Sequence, residues 1–296
     1  MCAEKRRLGL NEDQIRKHIR EEREEVVRRY FGDWDRMISD WQQDGAGDFV
    51  WLMFSSSYLC RTSNVRWAVD PATLHTRMSA DNEIDLANDL SGLSFALLSH
   101  RHVDHFDAQV VGALSSSSTR WVVPEFILNE VTENTAISEE RIVVPRPMQP
   151  IRFGEVLVTP FEGLHDPPER KNAPGSVPSM GYIVDVGRKR LLFPGDVRHY
   201  DAGSLPDFGD VDVLFAHLWF GRASSLLAEP PMFESFCRFC VDLKPRKIVV
   251  AHLFEVGRED EDYWSSKHAD MATNHWREKA PDIDVIIPRF GDRIAL

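Results

Sequence analysis

The chain has 296 residues, 43% of them hydrophobic, and a formal net charge of −12. That length and apolar content suit a globular protein with a sizeable core, and the acidic balance excludes a broad nucleic-acid-binding surface. No stretch approaches the roughly 20 apolar residues that span a bilayer. The opening MCAEKRRLGLNEDQ lacks an apolar leader core, and the four cysteines are too sparse for the framework of a small secreted domain. The expectation is a cytoplasmic protein with no stable membrane insertion and no nucleic-acid partner.

From Asn11 to Trp41 the sequence is dense in charge, with Ile15, Ile19, Val26, Tyr30, Trp34, Met37, Ile38 and Trp41 at helical spacing. Asn11 suits an N-cap and Asp13 the first turn. Gly32 followed by Asp33 reads as a stop and a new cap, which predicts two helices. Residues 1–47 are therefore expected to form an N-terminal helical arm. Its mixed charges suit a solvated outer face, and its apolar stripe suits packing against the main body or a second copy, so a homo-oligomer through the arm is expected.

Residues 48–296 read as a second domain, in which short apolar runs with turn signals predict strands at 49–54, 65–69, 94–98, 120–123, 141–144, 155–160, 181–186, 190–193, 211–216, 247–250 and 284–287. Helical patterns fall at 108–114, 124–131, 232–243 and 264–277, so two sheets covered by helices are predicted. Cys237 and Cys240 form a C-x-x-C within MFESFCRFCVDL. Without a second pair of zinc-type ligands nearby, their shared helix face with Phe233 and Phe236 reads as core packing.

The chemistry is concentrated in Ser99 to His105, Ser-His-Arg-His-Val-Asp-His, directly after the apolar run that ends at Leu98. In an extended chain His100 and His102 point to the same side. The turn that follows can bring Asp104 and His105 around to a second ion. Further ligand-type residues follow other apolar runs: His165 after EVLVTPFEG, Asp196 after RLLFPG, His252 after KIVVA. Loops converging at one sheet edge would bring such residues to a point.

These motifs, in order Asp70 in RWAVDP, the HxHxDH cluster, His165, Asp196 in FPGD and His252, resemble the metallo-beta-lactamase superfamily over about residues 48–296. The resemblance implies an α/β fold, a four-layer αββα sandwich that here carries an N-terminal helical extension. It also implies a dinuclear site at the edge shared by the two sheets. His100, His102 and His165 would hold the first metal, Asp104, His105 and His252 the second, and Asp196 would bridge them. The implied cofactor is two divalent ions, zinc first, with manganese or iron also accepted by imidazole and carboxylate.

A water bridging two such ions has a pKa lowered from about 15.7 toward about 7. The resemblance thus implies a metal-dependent hydrolase of phosphodiester or lactonase/esterase type, acting on a small, anionic molecule. Asp104 would orient the nucleophile and accept its proton, and Asp70 would fix a ligand histidine by hydrogen bonding. His217, which ends VDVLFA, is a further catalytic candidate. His199, Arg198 and Arg222 are candidates for touching substrate, and Trp219 and Phe220 for an apolar wall. HVDHFD with Asp107, GYIVDVGRKRLLFPGD and VDVLFAHL are similar to the branch containing ascorbate phosphate lactonase and N-acyl-phosphatidylethanolamine phospholipase D. The insertion PPERKNAPGSVPS after His165 is placed to shape or cover the pocket. Two other readings keep the same ligands: a non-catalytic metal-binding regulatory protein that uses the arm as its partner surface, and an iron-dependent redox enzyme.

Overall fold

In the computed structural model, which describes residues 11–45, 47–78, 84–170 and 173–296, a single 31-residue helix, α1 (Glu12–Gln42), leads into the sheets. Its start is the predicted one. The Asn11 side chain accepts from the Gln14 amide at 2.9 Å, and the Gln14 side chain accepts from the Asn11 amide at 2.9 Å, a reciprocal cap.

The expected break at Gly32 does not occur. Tyr30, Trp34, Met37, Ile38 and Trp41 stay in phase across it and are all buried. Burying each such side chain contributes roughly 1.5–3 kcal/mol, against a cost of about 1 kcal/mol for one glycine in a helix. Asp33 does not cap a second helix. It pairs with Arg29 at 3.3 Å and Arg36 at 2.6 Å, one turn away on either side.

The first sheet takes β14 (Arg293–Ala295), β1 (Phe49–Phe54), β2 (Ser57–Thr62), β3 (Val65–Val69), β4 (Phe95–Leu97), β5 (Arg120–Val122) and β6 (Ile142–Val143) in that order. It is antiparallel from β14 to β3 and parallel from β3 to β6. The second sheet runs β13 (Asp284–Ile286), β12 (Pro245–Ala251), β11 (Val211–His217), β10 (Lys189–Phe193), β9 (Met180–Val186), β8 (Val156–Glu162) and β7 (Ile151–Phe153). It is parallel from β13 to β10 and antiparallel from there to β7. Of these strands, β2, β7 and β14 were not expected.

Alternation along the strands divides the interior into three cores. Val50, Leu52, Val69 and Leu97 of the first sheet face Val184, Leu191, Val213 and Val249 of the second. Their neighbours Trp51, Met53, Ala96 and Leu98 face outward, into the core shared with α1, α2 (Leu86–Asp89), α3 (Ala108–Ala113) and α4 (Glu125–Asn134). On the far side Leu214, Ile248 and Val250 lie beneath α5 (Phe233–Asp242) and α6 (Ser266–Lys279). The result is the four-layer αββα arrangement. Cys237 and Cys240 are buried in this last core beside Phe236, as the helix spacing predicts.

The stripe of α1 is consumed within the chain. Trp41 Nε1 donates to the Cys60 carbonyl at 3.2 Å, and Trp34 Nε1 to Asp89 Oδ2 at 2.8 Å. The Arg61 guanidinium bonds the Asp40 carbonyl and also that of Gln43, satisfying acceptors that the end of the helix would leave open. Near the start of the helix, Ile15 and Ile19 cluster with Leu226 and Tyr263.

Candidate metal centre

Six strands deliver side chains to one edge. Asp70 follows β3, Ser99 and His100 follow β4, His165 follows β8, Asp196 follows β10, His217 ends β11 and His252 follows β12. The pairing orders make these strands parallel within each sheet, so their C-terminal ends lie together. Two of the turns require left-handed backbone at a non-glycine residue, Asp70 at φ 45° and His252 at φ 63°.

His100, His102, His165 and Asp196 form one group of potential ligands, with one donor atom from each within 4.8 Å of the others. Asp104, His105 and His252 form a second such group, and His105, Asp196 and His217 a third. All seven side chains expected at the site therefore converge, although they span residues 100 to 252. Asp196 and His105 stand between the groups. His105 Nε2 lies 3.2 Å from Asp196 Oδ1 and 3.5 Å from Asp104 Oδ2, and His252 Nε2 lies 3.3 Å from Asp104 Oδ2. His217, expected as a catalytic candidate, sits among the candidate ligands, with Nδ1 3.2 Å from Asp196 Oδ1.

A surrounding layer of hydrogen bonds orients these groups. Asp70 Oδ1 accepts from the Ser99 amide at 2.6 Å, and Oδ2 accepts from Ser99 Oγ at 2.5 Å and from His105 Nδ1 at 2.7 Å. Asp70 thus hydrogen-bonds one of the candidate ligands, His105. His252 Nδ1 donates to the Leu218 carbonyl at 3.0 Å, leaving Nε2 to face the carboxylates. Arg198 Nη2 donates to Asp196 Oδ2 at 2.6 Å, and its guanidinium lies 4.6 Å above the Trp219 ring. Arg198 is therefore already engaged by a cluster carboxylate. His199 is half-buried and its nearest ionic partner is Asp201 at 4.0 Å. Arg222 is exposed beyond β11. Phe220 is part of the second sheet's outer core.

Burial and the cluster's carboxylates pull its histidines in opposite directions. Burial pushes His100 well below its ordinary pKa, takes His102 down to about 4 and lowers His165, which favours the neutral form of all three rings. Burial alone would lower His105 as well, but Asp104, Asp196 and Asp70 outweigh it and hold that ring well above its usual range. Burial likewise favours protonated Asp196, yet His252, Arg198 and His105 keep it strongly ionised.

The donor set fits metal. Asp104 Oδ1 and Oδ2, both ring nitrogens of His165, and the Nε2 atoms of His217 and His252 are buried without a hydrogen-bond partner. Such orphaned groups are costly unless something coordinates them. The ionised carboxylates and the neutral rings of His100, His102 and His165 are already in the form that divalent ions take, while His105 and His252, both raised, would release a proton on binding.

The cluster opens through His102 and Asp104 onto a cleft of about 660 Å³, whose lining also includes Arg77, Arg101, Glu255 and Arg258. Sequence reasoning did not find Arg77, Glu255 or Arg258. Only Arg101, lying between two predicted ligands, had a local signal. In the insertion after His165, the Asp166 carboxylate accepts from the Val177 amide and ties the segment's ends together. Residues 171–172, within that insertion, lie outside the described residues.

No curated protein matches the chain in sequence. Among solved structures, Igni18, a metallo hydrolase from Ignicoccus hospitalis, is similar at 13% identity with a TM-score of 0.59, over 84% of this chain and 98% of that one. An isothiocyanate hydrolase from Delia radicum gut bacteria matches at 15% identity and TM-score 0.60, over 84% and 98%. CmlA, a diiron beta-hydroxylase from Streptomyces venezuelae, matches at 16% identity and TM-score 0.58 over 86% of this chain, which spans only 55% of CmlA. These likenesses establish the fold. Residues 69–253 match the family described as the Beta-lactamase superfamily domain, and the chain belongs to that family.

Proposed function

We propose that the protein is a hydrolase that holds two divalent metal ions and cleaves a phosphodiester, ester or lactone of a small, anionic substrate. His100, His102 and His165 would hold one ion and Asp104, His105 and His252 the other, with Asp196 shared. The observation that carries this reading is the set of buried, unpartnered nitrogen and oxygen atoms on Asp104, His165, His217 and His252. Zinc is the first choice of metal.

When bound, two such ions supply Lewis acidity and a water acidified toward neutral pH. The chain's own residues provide the rest. Asp70 fixes the His105 ring, and the Leu218 carbonyl fixes His252, so their Nε2 atoms are held in place. Arg198 offsets the charge that Asp196 carries in a buried setting. Asp104, fully buried yet kept well below its ordinary pKa by His105 and His252 against the effect of burial, stays ionised at the head of the cleft, where it would orient the nucleophile.

The test is hydrolysis of bis(p-nitrophenyl) phosphate, an aryl ester and a lactone by zinc- and manganese-loaded protein, beside Asp104→Ala and His102→Ala. Turnover of one class that falls at least about a hundredfold in both variants is expected. Fully metal-loaded protein inactive on every class overturns the proposal. The purely nitrogen and oxygen donor set, together with similarity to a diiron beta-hydroxylase, favours iron-dependent redox chemistry as the second reading. Iron content and a visible absorption band after aerobic purification would select it.

A further inference from the structure

We propose that Arg77, Arg101 and Arg258 form an oxyanion subsite in the cleft beside the metal centre, gripping a phosphate or carboxylate of the substrate at a distance from the bond that is cleaved. This deepens the hydrolase reading and rests on it for the identity of the anion's carrier. The three guanidinium groups share a cleft that begins at His102 and Asp104, so an anion held there keeps the rest of its molecule against the cluster.

The subsite is built rather than accidental. Glu255 is buried, with its side chain 5% exposed, and holds two of the arginines: Arg77 Nη1 at 2.5 Å on Oε1 and Arg258 Nε at 2.7 Å on Oε2. Arg77 Nη1 also bonds the Val256 carbonyl at 3.3 Å. The Arg258 amide donates to the Glu255 carbonyl at 3.2 Å across a turn whose Gly257 has φ +95°, a conformation that favours glycine. One carboxylate thus fixes two planar forks, which loses less side-chain freedom when a ligand arrives.

The forks keep donors to spare. Arg77 Nη2 is buried with no hydrogen-bond partner. Arg258 Nη2 stands 3.6 Å from Asp104 Oδ1, beyond hydrogen-bond length, and Arg101 is exposed on the ligand loop. If these arginines served only to neutralise Glu255 and Asp104, an orphaned donor would be an unexplained cost. A tetrahedral or planar oxyanion satisfies it, in the geometry for which arginine is suited.

Zinc-loaded protein is titrated calorimetrically with inorganic phosphate and with succinate, using wild type, Arg77→Gln and Arg258→Gln, with zinc content measured for each. The expected result is unchanged zinc content and binding of one probe weakened at least about tenfold in both variants. The more affected probe tells phosphate from carboxylate. Affinities within twofold of wild type for both probes, at equal zinc content, overturn the subsite and leave the hydrolase reading standing. Wild type that takes up neither zinc nor manganese, while both variants still lose anion affinity relative to it, refutes the hydrolase reading and keeps the subsite. Should either variant fail to fold, the Arg77 and Arg258 Nε–H resonances of wild type decide: they shift on adding the probe if the subsite exists and stay fixed if it does not.

Discussion

Asp70 Oδ2 lies 2.7 Å from His105 Nδ1, and the opposite ring nitrogen, Nε2, faces Asp196 Oδ1 at 3.2 Å. One carboxylate outside the cluster therefore sets the direction in which a central imidazole presents its Nε2 atom, and Asp70 is itself aimed by Ser99, to which it bonds through both oxygens.

Asp70→Asn keeps the size and tolerates φ 45°, since asparagine enters left-handed backbone readily. It replaces a charged acceptor with a neutral one. Zinc affinity, measured by competition with a chelator, should fall about 10- to 100-fold with little loss of secondary structure. Unchanged affinity would mean that the His105 ring is held by its packing alone.

Gly32 tests the continuity of α1. It is exposed, and a Cβ there would meet nothing within 4 Å. Gly32→Ala should stabilise the protein by about 0.5–1 kcal/mol in urea unfolding. A helix broken at this point would be destabilised instead. Trp41→Ala, in contrast, empties a fully buried position and removes the hydrogen bond to Cys60, at a cost of about 3–5 kcal/mol.

The candidate ligands were legible in the sequence because they follow apolar runs, and residues 99–105 hold four of them. Two sheets covered by helices followed from the same runs, and the αββα sandwich from the family resemblance. β2 was not legible: its sequence SYLCRT contains a buried arginine, and Arg61 is tolerated there only because carbonyls at the end of α1 receive it. The length of α1 was hidden for a related reason, since tertiary burial of Trp34 and Trp41 outweighs a local stop signal. The cleft was beyond reach because Arg77 and Glu255 meet across 178 positions with no motif around either.

His268 provides a pH test away from the metal centre. Burial lowers its pKa from the ordinary 6.5 to about 4. Its Nε2 donates to the Ser225 carbonyl at 2.7 Å and its Nδ1 accepts from the Ser265 amide at 3.1 Å, beside the Ser265 hydroxyl at 2.9 Å, so a second proton on Nδ1 would displace the amide's hydrogen bond. Above pH 6.5 the residue is neutral in folded and unfolded chains alike. As the pH falls from 6.5 toward 4 only the unfolded chain takes up the proton, and stability should drop by about 3 kcal/mol. In chelator-treated protein, the pH dependence of urea unfolding should be shallower in His268→Gln over that window. Equal slopes would show that His268 titrates normally when folded.

The most direct measurement is anomalous scattering at the zinc edge from crystals of zinc-loaded protein. The account predicts two peaks per chain, one among His100, His102 and His165 and one among Asp104, His105 and His252, with Asp196 between them. A single peak, or peaks away from these side chains, would contradict it.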